Sequence, residues 1–510
     1  MKRRNFRNYF GCVLFSVVLV VGCGGRVVLA GVPWEEVGKI VADDGTIGDQ
    51  FGYSVAISDN LAVIGASEDD ELGLRSGSAY VVDATTGQQL FKLLASNGGE
   101  KDYFGISVAT DGHLAVVGAI FGDGNVADTG AAYVFDVTTG DELFKLVASD
   151  GDVGDHFGSS VAIAGDRIVI GASYGDGGVI DSGTAYVFDA ITGQPLFKLS
   201  ASDGSAGDQF GKSVAVDENR LLIGAYQDDD NGTDSGSAYI FDLSTGQQLL
   251  KLVASDGIES DRFGWSVSLS GGHGLVGSWG SDAKGTDSGA AYVFDVMTGQ
   301  QVLKLSATDG QVGARFGYSV AMSGDLAVID AQLDFDNSGY TGAAYIFDVT
   351  TGQQISKITA TDGGGGKGIG RCVAISGEVV LAGAEGDDTN GTSSGAVYVF
   401  EPRDTNYLSV EPFPLVGGDD GVFSFVGGVP DAMSWLLYSV DGLGSTFIKP
   451  LNVTVDLVNP RVAVGPGLTD GDGKREVVRM LPSVAEAMDV WFQVVQHGNV
   501  TNFFRTEILP

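Results

Sequence analysis

The sequence predicts an all-β chain: a seven-bladed β-propeller of four-stranded blades, closed by its own N-terminal strand and followed by a small β-sandwich domain. Three observations carry that reading. A 53-residue unit recurs seven times, each unit holds four strand-like runs, and the array begins on the last strand of a unit and ends after a third. A fixed period of that length marks a repeat architecture.

The period shows in two landmarks. Phe-Gly pairs begin at Phe51, Phe104, Phe157, Phe210, Phe263 and Phe316, with Ile369-Gly370 as the seventh copy. Glycines 77, 130, 183, 236, 289, 342 and 395 precede runs that resemble "AYVFD". In the first unit the four runs are "FGYSVAIS", "LAVIGAS", "GSAYVVDA" and "QQLFKLLAS", bounded by Gly, Asp, Asn and Ser. Such short runs, rich in Val, Ile, Ala and aromatics, read as strands. Four strands in a unit of about 40–55 residues point to a propeller blade. A solenoid competes, but the ends decide. "WEEVGKIVADDG" (34–45) aligns with the fourth-strand run 87–98, and the seventh unit stops at "GAVYVFEP" (395–402) without a fourth strand. A ring uses that offset to remove two exposed edges. The propeller therefore spans 34–402. The small column Ala56, Ala109, Ala162, Ala215, Ser268, Ala321 and Ala374 is expected to line the crowded axis, with the Val55 column pointing the other way.

The flanking segments differ in kind. Residues 1–30 carry a basic start (Lys2, Arg3, Arg4, Arg7) and an apolar run from Phe10 to Gly22, the pattern of a bacterial export signal. Cleavage after Ala30 is the preferred exit, and lipidation of Cys23 is the alternative. The expected location is secreted, periplasmic or at the cell surface. Residues 403–406 read as a linker, and the alternating runs of 407–510 suggest the sandwich. With the leader removed, Cys372 alone remains, in a column otherwise held by Ser54, Ser107, Ser160, Ser213, Ser266 and Ser319. A small buried residue is its expected role.

Charge and composition exclude several partners. The 510 residues carry a net charge of −37, with 79 glycines and 11 prolines. That field repels nucleic acid and anionic membrane surfaces. The mature chain is expected to lack a transmembrane segment and to be monomeric. Catalysis is not expected either. His113, His156, His273 and His497 form no ligand spacing, and no nucleophile elbow, phosphate loop or zinc pattern occurs. The acids repeat round the ring, whereas a catalytic pair needs two unlike environments. Asp330, which replaces a repeated glycine, is the nearest exception.

Strand parity gives the ring two unlike faces. The tight turns between strands one and two, and three and four, lie on one face. The longer acidic loops, two–three and four–one, lie on the other. The two–three loops hold the candidate ligand-binding residues: Phe121, Asp123, Asp128, Tyr174, Asp176, Asp181, Tyr226, Asp229, Asp234, Trp279, Asp282 and Asp287. Aromatics beside carboxylates suit a sugar, a peptide or a cationic group. The same residues also serve as turn formers and loop packing, and both readings stand at this point.

The Phe-Gly … Gly-Ala pattern in a four-strand unit resembles the FG-GAP repeat, the unit of the integrin α-chain propeller, over all seven copies. The resemblance implies an extracellular binding or adhesion module whose partner is a protein or glycan. A scaffold without a ligand and a carbohydrate-active enzyme are the alternatives. Two departures matter. Ser67, Ile120, Ser173 and Tyr226 stand where the pattern has proline. The calcium loop that the family often carries between its first two strands is replaced by turns such as "SDN" and "SGD". Those cannot supply six oxygens. No cofactor is expected, with calcium at the acidic loops left as an option.

Overall fold

The computed structural model describes residues 33–335, 339–363 and 368–402 in full and residue 336 by its backbone; from 407 onward only separate backbone strands are placed. The chain divides into two compact units, Met1–Pro402 and Arg403–Pro510. The expected leader, the linker and the packing of the C-terminal sandwich lie outside the described residues. No helix long and apolar enough to cross a membrane occurs among the described residues.

Seven four-stranded antiparallel sheets make up the first unit. In blade 1 the strands are Phe51–Ser58, Leu61–Ala66, Ser78–Asp83 and Gln89–Leu93. The middle two are buried nearly throughout, because a neighbouring blade covers each face, and so they read as unbroken apolar runs. The outermost strand keeps exposed positions. Trp34–Ile40 pairs antiparallel with Ala396–Pro402 and completes blade 7. Trp34 and Ile40 are buried there. First strands adjoin one another round the full circle, blade 7 to blade 1 included. The ring is closed, as its offset ends require.

The axial alanine column is corrected by the structure. Ala109 packs among Phe157, Ile163, Ile168 and Ile170 of the following blade, and Ala162 and Ala374 do likewise. Val161 and Val214 face the preceding blade. Successive side chains of a strand leave on opposite faces, so both columns face other blades. The gap between blades narrows inward, and alanine fits the narrow part.

Each Phe-Gly pair locks a seam between blades. Phe104 is fully buried, edge-on to Tyr133 at 5.5 Å, and its N–H donates to the Ser76 carbonyl of blade 1 at 3.0 Å. Gly77 sits at φ +80°, and a Cβ there would collide with the Phe104 carbonyl oxygen. That close approach explains the second landmark. The serine after Phe-Gly-x donates to the glycine carbonyl of the next blade in blades 1 to 5, as Ser54 does to Gly105 at 2.8 Å. Cys372 does the same to Gly52 through sulfur at 3.1 Å.

Candidate functional site: the axial mouth of the loop-bearing face

Most of the repeated acids hold the fold. In blade 4 the Lys251 ammonium lies 2.7 Å from Asp203, 3.0 Å from Asp228 and 2.6 Å from Asp230, while Tyr239 donates to both Asp203 and Asp228. Burial works against the Lys251 charge, but the three carboxylates outweigh it and hold its pKa above the ordinary value. Those three acids form the carboxylate group best spaced for a metal among the described residues. The lysine nitrogen already fills that position. Lys39, Lys92, Lys198, Lys304 and Lys357 are tied to carboxylates in the same way. Blade 2 differs. Asn97 and Gly122 replace the acids, and Lys145 donates only to the Asp123 carbonyl. The turns between strands one and two are two residues long in blade 1, Asp59-Asn60, too short to wrap a calcium ion.

The predicted aspartates shape their own loops. Asp176, Asp229 and Asp282 accept the backbone N–H of Asp181, Asp234 and Asp287. Those three, like Asp128, sit at φ between +50° and +57°. Their carbonyls reach the next blade: Gly154, Gly207, Arg262 and Arg315 donate to Asp128, Asp181, Asp234 and Asp287. Asp123, Asp176, Asp229, Asp282 and Asp287 are exposed.

The predicted aromatics stand elsewhere, in two groups at the axis. Phe121 and Tyr174 flank His156 at 4.9 Å each, and Tyr103 lies 5.9 Å from Phe121. Tyr226 meets Trp265 at 4.7 Å; Trp265 in turn meets Trp279 at 5.7 Å and Tyr318 at 5.2 Å.

A β-bulge brings the remaining members in. Pairing of the first two strands skips from Phe51 to Ser54, and likewise in blades 2 and 3. The residue after each Phe-Gly thus leaves the ladder, as bulges re-aim side chains elsewhere. Across the seven blades that residue is Tyr53, Ile106, Ser159, Lys212, Trp265, Tyr318 and Arg371, every one half-buried. Arg371 donates to the phenol oxygens of Tyr318 (3.1 Å) and Tyr53, and its Nε lies 3.4 Å from Glu385. Lys212 lies over Trp265 at 4.7 Å. The charge of Arg371, three blades round the ring, opposes that of Lys212. Burial first, and that charge second, push Lys212 down to about 8.

A collar precedes this ring: Gln50, Tyr103, His156, Gln209, Arg262 and Arg315, at φ from +54° to +60°. Left-handed backbone at six large residues costs of order 1 kcal/mol each. Arg262 and Arg315 both lie over Trp279, at 4.2 and 4.7 Å.

The inner ring was missed in the sequence, although a signal was present. The column after Phe-Gly is far more varied than its neighbours: the Phe-Gly and Val columns barely change between copies, while this one runs through six residue types.

Asp330 is not at the mouth. It is fully buried at the seam of blades 6 and 7, where the Ser319 N–H donates to one oxygen and the other has no partner among the described residues. Burial holds its carboxyl well above the usual range. At this seam the Ser319 hydroxyl accepts from the Val373 N–H.

With the geometry in place, comparison with known families is decisive. The family model described as "FG-GAP repeat" matches residues 34–82, 88–135, 141–188, 196–241, 247–294, 300–347 and 353–400. The chain belongs to the FG-GAP repeat family. Each match begins on a fourth strand and ends on a third, the offset that closes the FG-GAP ring. No curated protein matches the chain. Among solved structures, the crystal structure of the RRP9 WD40 repeats aligns over 73% of this chain and 100% of that one, with 11% identity and a TM-score of 0.46.

Proposed function

We propose that this FG-GAP protein is a non-enzymatic binding module, of the exported adhesion type that its leader and repeats suggest, and that it takes its ligand at the axial mouth, from blade 4 through blade 7 to blade 1. The observation that carries the reading is the inner ring itself. A framework copied seven times gives way there to a column of unlike aromatic and cationic side chains, set beside strained backbone. Strain retained by large side chains is a reason to look for function. Tyr226 and Trp279 belong to this constellation from the predicted set; Lys212, Trp265, Tyr318, Arg371 and Tyr53 join them. The carboxylates nearest it are not free for acid–base work, since Glu385 faces Arg371 and Asp330 is enclosed.

Glycan and peptide arrays probed with purified protein test the proposal. Trp265→Ala should abolish any binding found, since truncating a central aromatic anchor costs ~2 kcal/mol or more. Asp166→Ala and Asp325→Ala, in turns on the opposite face, should leave it intact. Binding lost in the turn variants and kept in Trp265→Ala would put the site on the wrong face. Silence on both arrays would favour a scaffold.

A further inference from the structure

The charge at the axial mouth runs against the charge of the molecule. The chain carries 66 acids against 29 Lys and Arg. Away from the axis the blade lysines other than Lys145 are neutralised: Lys39, Lys92, Lys198, Lys251, Lys304 and Lys357 each touch at least one carboxylate at 2.6–2.9 Å. At the mouth the pattern reverses. Lys212, Arg262 and Arg315 have no ion pair with a described carboxylate, and rest instead on the faces of Trp265 and Trp279. Of the four, only Arg371 is ion-paired, with Glu385. An aromatic face steadies a cation without cancelling its charge. Beside them the Trp279 indole N–H is buried and meets no acceptor among the described residues.

We propose, building on the mouth as the binding site, that it recognises the carboxylate end of an otherwise neutral glycan, a terminal sugar acid seated among Lys212, Arg262, Arg315 and Arg371. The surrounding surface selects the body of that ligand. The exposed Asp123, Asp176, Asp229, Asp282 and Asp287 ring the same face. They repel a chain that is anionic along its length and accept hydrogen bonds from hydroxyl groups. An acidic peptide or nucleic acid brings repeated negative charge across those loops; a glycan with one acid tip does not. Half-exposed Trp265, Tyr226 and Tyr318 offer ring surface for the flat apolar side of a pyranose.

The test is a calorimetric titration of the full chain at neutral pH. The probes are trisaccharides ending in glucuronate, galacturonate or a keto sugar acid, the same sugars with the carboxyl reduced to an alcohol, and penta-glutamate. At least one acid-ended sugar should bind, and its reduced twin should bind about tenfold more weakly or worse, the usual scale for a charge-assisted hydrogen bond. Lys212→Met should narrow that ratio to about threefold or less. The acid–alcohol comparison needs no variant, so a misfolded Lys212→Met cannot hide the answer. Equal binding of acid and alcohol, tighter binding of penta-glutamate, or no binding by any sugar acid overturns the assignment. If acid and alcohol bind equally and Trp265→Ala abolishes both, the mouth remains the site and only its charge preference falls. If binding survives Trp265→Ala, the site itself is wrong.

Discussion

Lys212 shows how one side chain turns packing into a measurable property. Its charge is disfavoured by burial and by Arg371, while His156 is the other titratable group that feels it directly. Tyr53, Tyr318, Glu385 and Asp330 act on it through Arg371. A lysine whose folded pKa lies near 8, below its unfolded value, is charged at neutral pH and loses its proton as pH rises through about 8. Affinity for an anion should therefore fall on raising pH from 7 to beyond 9, by about tenfold, and the fall should vanish in Lys212→Met. A flat profile in the native protein would exclude Lys212 from the contact. Asp330 is the opposite case, a buried acid with one orphaned oxygen and no visible gain. Asp330→Gly should restore the serine-to-glycine bond seen at the other seams and raise stability by about 1–3 kcal/mol. Thermal unfolding reads this directly; a lower Tm would mean that the carboxyl supports Arg371.

At the scale of the element, the blade lysines form a natural control series. Lys251→Met leaves Asp203, Asp228 and Asp230 facing one another and should cost about 2–3 kcal/mol, less than a fully buried pair because Asp203 is half-exposed. Lys145→Met, in the blade without the acids, should cost about 0.5 kcal/mol or less. Equal losses in the two variants would show that the lysine stem, not its charge, matters. The closing strand makes a second test. Removing residues 34–42 exposes Ala396–Pro402 as an open edge and strips Lys39 from Asp362 and Asp387. Aggregation or loss of cooperative melting should follow. A truncated chain that melts like the full one would contradict the ring as the unit of stability.

Across the whole molecule two sets of aspartates oppose each other. Asp44, Asp150, Asp203, Asp256, Asp309 and Asp362 are held below the ordinary carboxylate range, mainly by lysine and tyrosine partners against the penalty of burial. Their stabilisation is present above the unfolded pKa and is lost as pH falls through the folded one. Asp49, Asp102, Asp155, Asp208 and Asp261 are pushed up by burial, Asp208 to about 6. Their ionisation strains the fold at neutral pH, and protonation relieves it as pH drops from 7 toward 4. Lower pH also reduces the self-repulsion of a chain at −37. Tm should therefore rise on acidification, peak near about pH 5, and fall steeply below about 4. A Tm that declines steadily from pH 7 downward would show that the paired aspartates dominate throughout.

The ring was legible because each of its causes is local and repeated. Four strand runs, a period of 53, and a fourth strand placed first fix blade number and closure without any knowledge of contacts. The polarity of the two faces followed from strand parity alone. The site was legible only in part. Tyr226 and Trp279 stood out as departures from a repeated pattern, but the adjacent aspartates did too, and sequence cannot tell a carboxylate that caps its own loop from one offered to a ligand. Only the folded chain shows Asp229 spent on the Asp234 N–H, and Lys251 filling the space among three acids. Nor does spacing along the chain reveal that Lys212 and Arg371, 159 positions apart and three blades apart, are joined through Trp265 and Tyr318. Packing of blade on blade creates that chain of contacts, and the bulge after each Phe-Gly turns the side chains into it.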